Sequence, residues 1–333
     1  MILETAGRIL KSRARPRQIS LRSIAQRWSL VIAFAGAFAF FSIAKPDVFL
    51  TWDNALAILD DSSVLCLLAV GVTVILVIGE FDLSVGVVTG LAAAASVAAM
   101  SYRGWSTGVA IAIALGAGAA IGLVNGIGVA HVRIPSFIAT LAVGSIAGGI
   151  ELGIAKTSIF EGLRPSYLDI ALTRYHGISL RAIIAAGATI LFLVILRMTV
   201  YGRHAHAVGD NAAAARFTGV PVQRVIVFGF VFAGLTAGLA GVLVASSAAS
   251  YYPGLGTGFL LPAYAAAFLG LSLGSGLRFN VIGSYIGVLL LGMVTTGLTI
   301  MNQPSWVGAL VQGFVLLAAV AGVAIRRRGA VGR

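Results

Sequence analysis

Two carboxylates stand two residues apart in Gly79-Glu-Phe-Asp-Leu-Ser-Val-Gly86, between stretches that are otherwise apolar. Carboxylates beside a membrane are costly unless they meet water or a partner, so Glu80 and Asp82 belong where one helix breaks and the next begins. At such a break Asp82 or Ser84 can cap the following helix by accepting a hydrogen bond from its free backbone N–H groups. Glu80, Asp82, Ser84 and Gly86 therefore read either as a capped break with no ligand contact or as a hinge or gate beside a transport pathway.

Other chemistries find little support. His204 and His206 lie two apart with no cysteine or further histidine nearby, and no metal site is expected. Asp60-Asp61 lacks the second acidic cluster of a membrane prenyltransferase. The nearest approach to a phosphate-binding loop, Ala155-Lys156-Thr157, lacks the glycine before its lysine, so ATP and its magnesium belong to another chain and no cofactor is expected in this one. The single cysteine, Cys66, can build neither a disulfide nor a thiolate cluster within the chain. Glu151 keeps ion-gradient coupling open, although no span carries a ladder of paired buried carboxylates and basic residues.

Membrane helices must carry these residues. The chain has 333 residues, 59% hydrophobic and only 10% charged, with a mean hydropathy of +1.01. One soluble core cannot hide that many apolar side chains, so the surplus faces lipid. A span needs about 20 apolar residues, which allows about ten here. The apolar runs are 28–44, 62–79, 84–102, 106–130, 135–154, 180–198, 224–245, 258–274, 280–300 and 305–325. The expected fold is an all-α polytopic membrane protein. A basic segment (1–27) precedes a transmembrane domain (28–325), and a basic tail (326–333) follows it.

The net charge of +12 would point to nucleic acid in a soluble chain. Position argues otherwise. Seven basic residues precede the first run, and Arg326, Arg327, Arg328 and Arg333 follow the last. Alternating ten spans puts seventeen basic residues on the side of the termini and six on the other, so both ends are expected in the cytoplasm of a bacterial inner-membrane protein, with no nucleic-acid partner. Ser42-Ile43-Ala44 resembles a signal cleavage site, but Pro46 and the further spans favour an uncleaved first helix. An inverted repeat is also expected. Pro135-Ser-Phe-Ile-Ala-Thr-Leu-Ala-Val-Gly144 aligns with Pro304-Ser-Trp-Val-Gly-Ala-Leu-Val-Gln-Gly313, pairing spans two to five with spans seven to ten.

The longest polar segment between late spans runs from Tyr201 to Arg224, on the cytoplasmic side of this topology. Asp210 or Asn211 can cap a short helix through the alanines, and Gly219 followed by Pro221 stops it. Such a helix is too short to stand alone, so it decorates the surface or docks a soluble partner.

Three motifs in this order resemble the ribose, xylose and arabinose type ABC transporter permeases: G-E-F-D-L-S-V-G at 79–86, P-S-F-I-A-T-L at 135–141, and Y-G-R followed by A-V-G-D-N-x-x-A-A-R-F-T-G-V at 207–220. The resemblance spans nearly the whole chain. It implies that Gly209, Asp210, Asn211, Ala215, Arg216, Gly219 and Val220, within the loop 199–223, form a coupling helix seated in a cytoplasmic ATPase. It also implies a second permease copy or a related permease, and a periplasmic sugar-binding protein. The chain departs from the usual pattern at Glu80, where glycine is common, at Leu269-Gly-Leu-Ser-Leu-Gly-Ser-Gly276 and at Leu277-Arg-Phe-Asn280. Asn125 and Phe137, a polar and an aromatic residue on Gly-rich spans, are the expected pathway residues. An ion-driven secondary carrier remains the alternative.

Overall fold

A computed structural model describes residues 29–271 and 278–331, with side chains described from Leu30 to Leu271 and from Arg278 to Ala321. The basic segment 1–27, the tail 326–333 and most of the departure at 269–276 therefore lie outside the described residues or side chains. Fourteen helices are described: α1 (Ser29–Ala44), α2 (Pro46–Phe49), α3 (Trp52–Asp61), α4 (Ser63–Val77), α5 (Val85–Arg103), α6 (Thr107–Ala130), α7 (Ser136–Ala155), α8 (Pro165–Leu172), α9 (Leu180–Met198), α10 (Val200–Phe217), α11 (Val222–Ala248), α12 (Leu260–Gly270), α13 (Val281–Ile300) and α14 (Ser305–Val331).

The expected all-α membrane fold is present. Six helices, α5, α6, α7, α9, α11 and α13, are long and apolar enough to cross a membrane, and α3 with α4 makes a seventh crossing if their 47° bend is one broken span. The first, eighth and tenth expected spans coincide with shorter apolar stretches, Leu30–Ala44, Thr257–Gly270 and Ser305–Ala321. The eighth opens with a 3₁₀ turn, Thr257–Phe259, before α12 begins.

Helices α4, α5 and α11 form the centre. Every residue of α4 from Ser63 to Val77 is buried, and α5 is 83% buried, against 22% for α6 and for α9. Lipid tails give no hydrophobic drive between helices, so close backbone approach and dispersion must hold the bundle together. The most extensive helix contact, α6 on α11, shows how. Gly118, Gly122 and Gly126 line one face of α6 at four-residue spacing and meet Gly234, Phe230 and Val227 on α11. A Cβ on Gly118 would overlap the Gly234 carbonyl oxygen, and one on Gly234 would overlap the Gly118 carbonyl oxygen. Large apolar side chains instead point outward from the periphery, Leu141, Ile146 and Ile190 among them, as lipid contact requires.

Away from the centre, α3 is tied to α9 by charge. Asp60, 5% exposed, accepts from Arg181 at 2.8 Å and lies 3.4 Å from Arg174. Arg174 opens a two-residue hairpin, β1 (Arg174–Tyr175) and β2 (Ile178–Ser179). His176 and Gly177 turn it with φ of 50° and 87°, the positive values a tight two-residue turn demands.

Each of the two segments aligned as a repeat is preceded by a residue with positive φ. Arg133 (φ 65°) and Asn302 (φ 56°) each adopt a left-handed conformation three residues before the helix that opens after proline, α7 in one case and α14 in the other.

Candidate functional site

The break after α4 is built by local geometry and then closed by distant side chains. Gly79 takes φ +84°, its N–H donates to the Leu76 carbonyl at 3.2 Å, and the Glu80 N–H donates to Ile75 at 3.1 Å. This left-handed stop consumes two of the last carbonyls of the helix. The chain then runs without helical bonds until α5. Its amides, which would be orphaned in an apolar interior, are met from other helices. Phe81 N–H donates to Ser136 Oγ at 3.1 Å, Asp82 N–H to the Tyr264 hydroxyl at 2.8 Å, and Leu83 N–H to Thr140 Oγ1 at 3.0 Å. The Tyr264 hydroxyl in turn donates to the Asp82 carbonyl at 3.0 Å.

Of the two expected caps, Ser84 holds the N-cap position of α5 but makes no side-chain cap bond, and Asp82 is the one that accepts from a free backbone N–H at the start of the helix. Asp82 Oδ1 accepts from the Ser84 N–H at 2.8 Å and from the Ser84 hydroxyl at 2.6 Å. Asn125 Nδ2 donates to Ser84 Oγ at 2.9 Å. Asp82, Ser84 and Asn125 thus form one buried network, 2%, 0% and 0% exposed. Asn125 Oδ1 has no partner among the described residues. Glu80 stays half-buried at the rim. Phe137 turns outward, 54% exposed, beside the Ser136 that holds Phe81. Of the two expected pathway residues, Asn125 is therefore enclosed beneath the break and Phe137 is on the surface.

A second break lies against the helix that follows the first. After α11 ends, Ala249 takes φ 48°, and the connection to α12 passes against α5, where the Gly256 backbone lies against Gly86 and Gly90. Glu151, 4% exposed, holds this loop by accepting from the Tyr251 hydroxyl at 2.8 Å and the Gly254 N–H at 3.2 Å. One helix, α7, therefore pins both breaks, with Ser136 and Thr140 on the first and Glu151 on the second.

The polar segment expected to couple to a partner seats on the first break. It is one helix with a bend, α10, whose Asn211 leaves helical geometry at φ −164° and ψ 98°. Of the two residues that could cap, Asn211 does so: its Oδ1 accepts from the Ala214 N–H at 2.9 Å. Asp210 pairs instead with Arg278 at 2.6 Å. The short limb ends at Gly219, φ +82°, where Gly219 N–H donates to Arg216 at 3.1 Å and Val220 N–H to Ala215 at 3.1 Å. These are the same two bonds that stop α4. Gly209 lies flat on the break, so that a Cβ there would overlap the Val77 carbonyl oxygen, and Gly79 faces Gly209 in return. Ala215 is buried, Arg216 is exposed, and Phe217 is 94% exposed. His206, on the first limb, is held below its ordinary pKa by burial first and the Arg278 charge second, with Asp210 opposing.

A glycine-seated helix thus lies against a broken span, with an exposed aromatic ring beyond it. The family profile described as branched-chain amino acid transport system / permease component matches residues 54–320. The chain belongs to that family. Among its relatives, the ribose import permease protein RbsC of Escherichia coli (strain K12) is 32% identical over 296 residues, covering 87% of this chain and 91% of the relative. The L-arabinose ABC transporter permease protein AraH of Azospirillum brasilense is 33% identical, covering 88% and 86%. The autoinducer 2 import system permease protein LsrC of Enterobacter sp. (strain 638) is 34% identical, covering 86% and 83%. No solved structure gives a significant match. This permease is a transport component and, with its apolar helices, a multi-pass protein of the bacterial inner membrane. Sequence reading gave no role to Tyr264, Ser136, Thr140 or Phe217 in the permease, although Ser136 and Thr140 stand in the motif at 135–141 and Phe217 in the motif at 207–220.

Proposed function

We propose that the chain is the membrane subunit of a binding-protein-dependent ABC importer that carries a monosaccharide or similar small polar carbohydrate inward, using ATP hydrolysed by a partner subunit. The relatives named for ribose, arabinose and autoinducer 2 import support the substrate class. The observation that carries the mechanism is the seat of Gly209 on the Val77–Gly79 break, with Arg216 and Phe217 presented to a partner on the far limb of the same helix. Force on that limb reaches the turn that holds Asp82, Ser84 and Asn125, and rocks the bundle between outward and inward access.

In this reading the chain crosses the membrane ten times with both termini inside, pairs with a second permease copy or a related permease, and receives substrate from a periplasmic binding protein. Two charge pairs agree with it. Alternating the ten spans puts Asp60, Arg174 and Arg181 on the outer side, and they meet in space. The same alternation puts Asp210 and Arg278 on the inner side, and they also meet. The shared left-handed turns at Arg133 and Asn302 support the inverted repeat.

Co-purification with an ABC ATPase tests the mechanism. Arg216→Glu, which leaves the fold of an exposed position untouched, should lower ATP-dependent sugar uptake at least tenfold and abolish ATPase recovery, whereas full recovery and uptake would overturn it. A second reading, an ion-gradient carrier, rests on Glu151, a buried carboxylate held by Tyr251 and Gly254 with no salt-bridge partner among the described residues. Under it, a protonophore should stop uptake at constant ATP and Glu151→Gln should remove that sensitivity.

A further inference from the structure

A cavity of about 280 Å³ opens at the bend between α3 and α4, close to the lower end of small-ligand pocket sizes, about 300–1,000 Å³. It is lined by α13, α12, α14 and the 3₁₀ turn before α12 as well as by the bend, and it shares no lining residue with the Gly79–Ser84 break. On α13, Gly292, Thr295, Thr296 and Thr299 face it at the spacing of one helix face. From α14, Gln312 reaches Thr295 Oγ1 at 3.4 Å. Asp61 and Ser62 supply the wall at the bend, and Phe259 an aromatic one.

Ser62 carries the argument. It is 4% exposed, yet its hydroxyl makes no hydrogen bond, although it stands at the N-cap position of α4 where a serine ordinarily accepts one. A buried hydroxyl left unpaired costs about 1–3 kcal/mol, so a ligand that meets it recovers that cost. The opposite wall makes room for it, because a Cβ on Gly292 would overlap Ser62 Oγ.

We propose that this cavity binds one small polyhydroxylated solute, a sugar or polyol, within a single permease chain. Asp61 accepts from adjacent hydroxyls, Ser62, the threonines and Gln312 exchange single hydrogen bonds with the rest, and Phe259 covers a C–H face. No Lys or Arg is among the described residues that line it, so a phosphate or lipid headgroup has no counter-charge there. Asp61 and Ser62 stand at the opposite end of α4 from the Gly209 seat, so the cavity faces outward. It rests on the importer reading for that direction.

The test uses the full-length chain in intact cells that lack the ATPase. With Cys66→Ala removing the single native cysteine, Thr296→Cys and, separately, Gln312→Cys are labelled with a membrane-impermeant maleimide. Labelling is repeated with millimolar D-ribose, L-arabinose or D-mannitol. Labelling from outside that at least one sugar slows fivefold or more supports the site. Adding Ser62→Ala should then raise the half-protecting concentration about tenfold, the equivalent of about 1.4 kcal/mol. Labelling at both positions that all three sugars leave unchanged overturns the site, as does labelling only after permeabilisation. ATP-dependent uptake measured in the complete system separates the two ideas: uptake without protection removes the cavity site and keeps the importer, whereas protection with uptake indifferent to ATP keeps the site and removes the importer.

Discussion

At the scale of single residues, the informative positions are those where the backbone leaves no choice. Gly209 is one of them, because the Val77 carbonyl oxygen occupies the volume a side chain there would need. Forcing extra carbon into such a contact typically costs about 1–3 kcal/mol and moves backbone rather than a flexible side-chain end. Gly209→Val should therefore lift α10 off the break. Uptake should fall at least tenfold with insertion retained, and ATPase activity, if the partner still binds, should become independent of substrate. Wild-type uptake by this variant would show that the contact transmits nothing. Asn211 is the contrasting case, a polar residue whose geometry can be replaced. Its cap on the short limb contributes about 1 kcal/mol by analogy with other helix N-caps. Asn211→Asp should therefore preserve uptake and Asn211→Ala should lower the melting temperature of the ATPase-bound complex, as differential scanning fluorimetry would register.

At the scale of elements, the bundle is assembled on small residues rather than on size-matched knobs. The α6–α11 seam brings the backbones together at Gly118, Gly122, Gly126 and Gly234, and that approach fixes where Asn125, one turn along α6, meets Ser84. Gly234→Leu should separate the helices. Its expected consequence is loss of the folded monomer in detergent, read by size-exclusion chromatography, whereas Gly116→Leu, where a Cβ would meet open space, should leave the elution profile unchanged. Helix α7 has a different role, as a strap carrying three polar side chains onto two breaks. A strap of this kind makes the breaks move together, since shifting α7 by one turn would strip partners from both.

At the scale of the whole molecule, topology decides whether the parts described can work as an importer. The proposed importer requires the Asp210–Arg278 end of the bundle to face the nucleotide-hydrolysing partner and the Asp60–Arg181 end to face the delivering protein. Tyr175, in the hairpin, is 57% exposed and Phe217 is 94% exposed. With Cys66 replaced, Tyr175→Cys should react with an impermeant maleimide on intact cells, and Phe217→Cys only after permeabilisation. The reverse pattern would invert the molecule and end the coupling mechanism.

The amino-acid sequence alone required a membrane protein, because 59% hydrophobic residues with 10% charged ones exceed what a soluble core can bury. Local chemistry also placed the stops. Gly79 and Gly219 both end their helices in left-handed turns, since that conformation is open to glycine at little cost. What the tertiary structure alone decided is which group answers which. The amides of Phe81 and Asp82 are satisfied by Ser136 and Tyr264, 55 and 182 residues away, while the Asp82 carboxylate accepts from Ser84 at the start of α5. Hydropathy cannot foretell such partners, because it measures how much apolar surface a segment carries and not which neighbour brings a hydroxyl within reach. For the same reason the exposed Phe217 and the unpaired Ser62 emerge only once the helices are packed. Burial belongs to the assembled bundle, and only there is the Phe217 ring left outside while the Ser62 hydroxyl is enclosed without a partner.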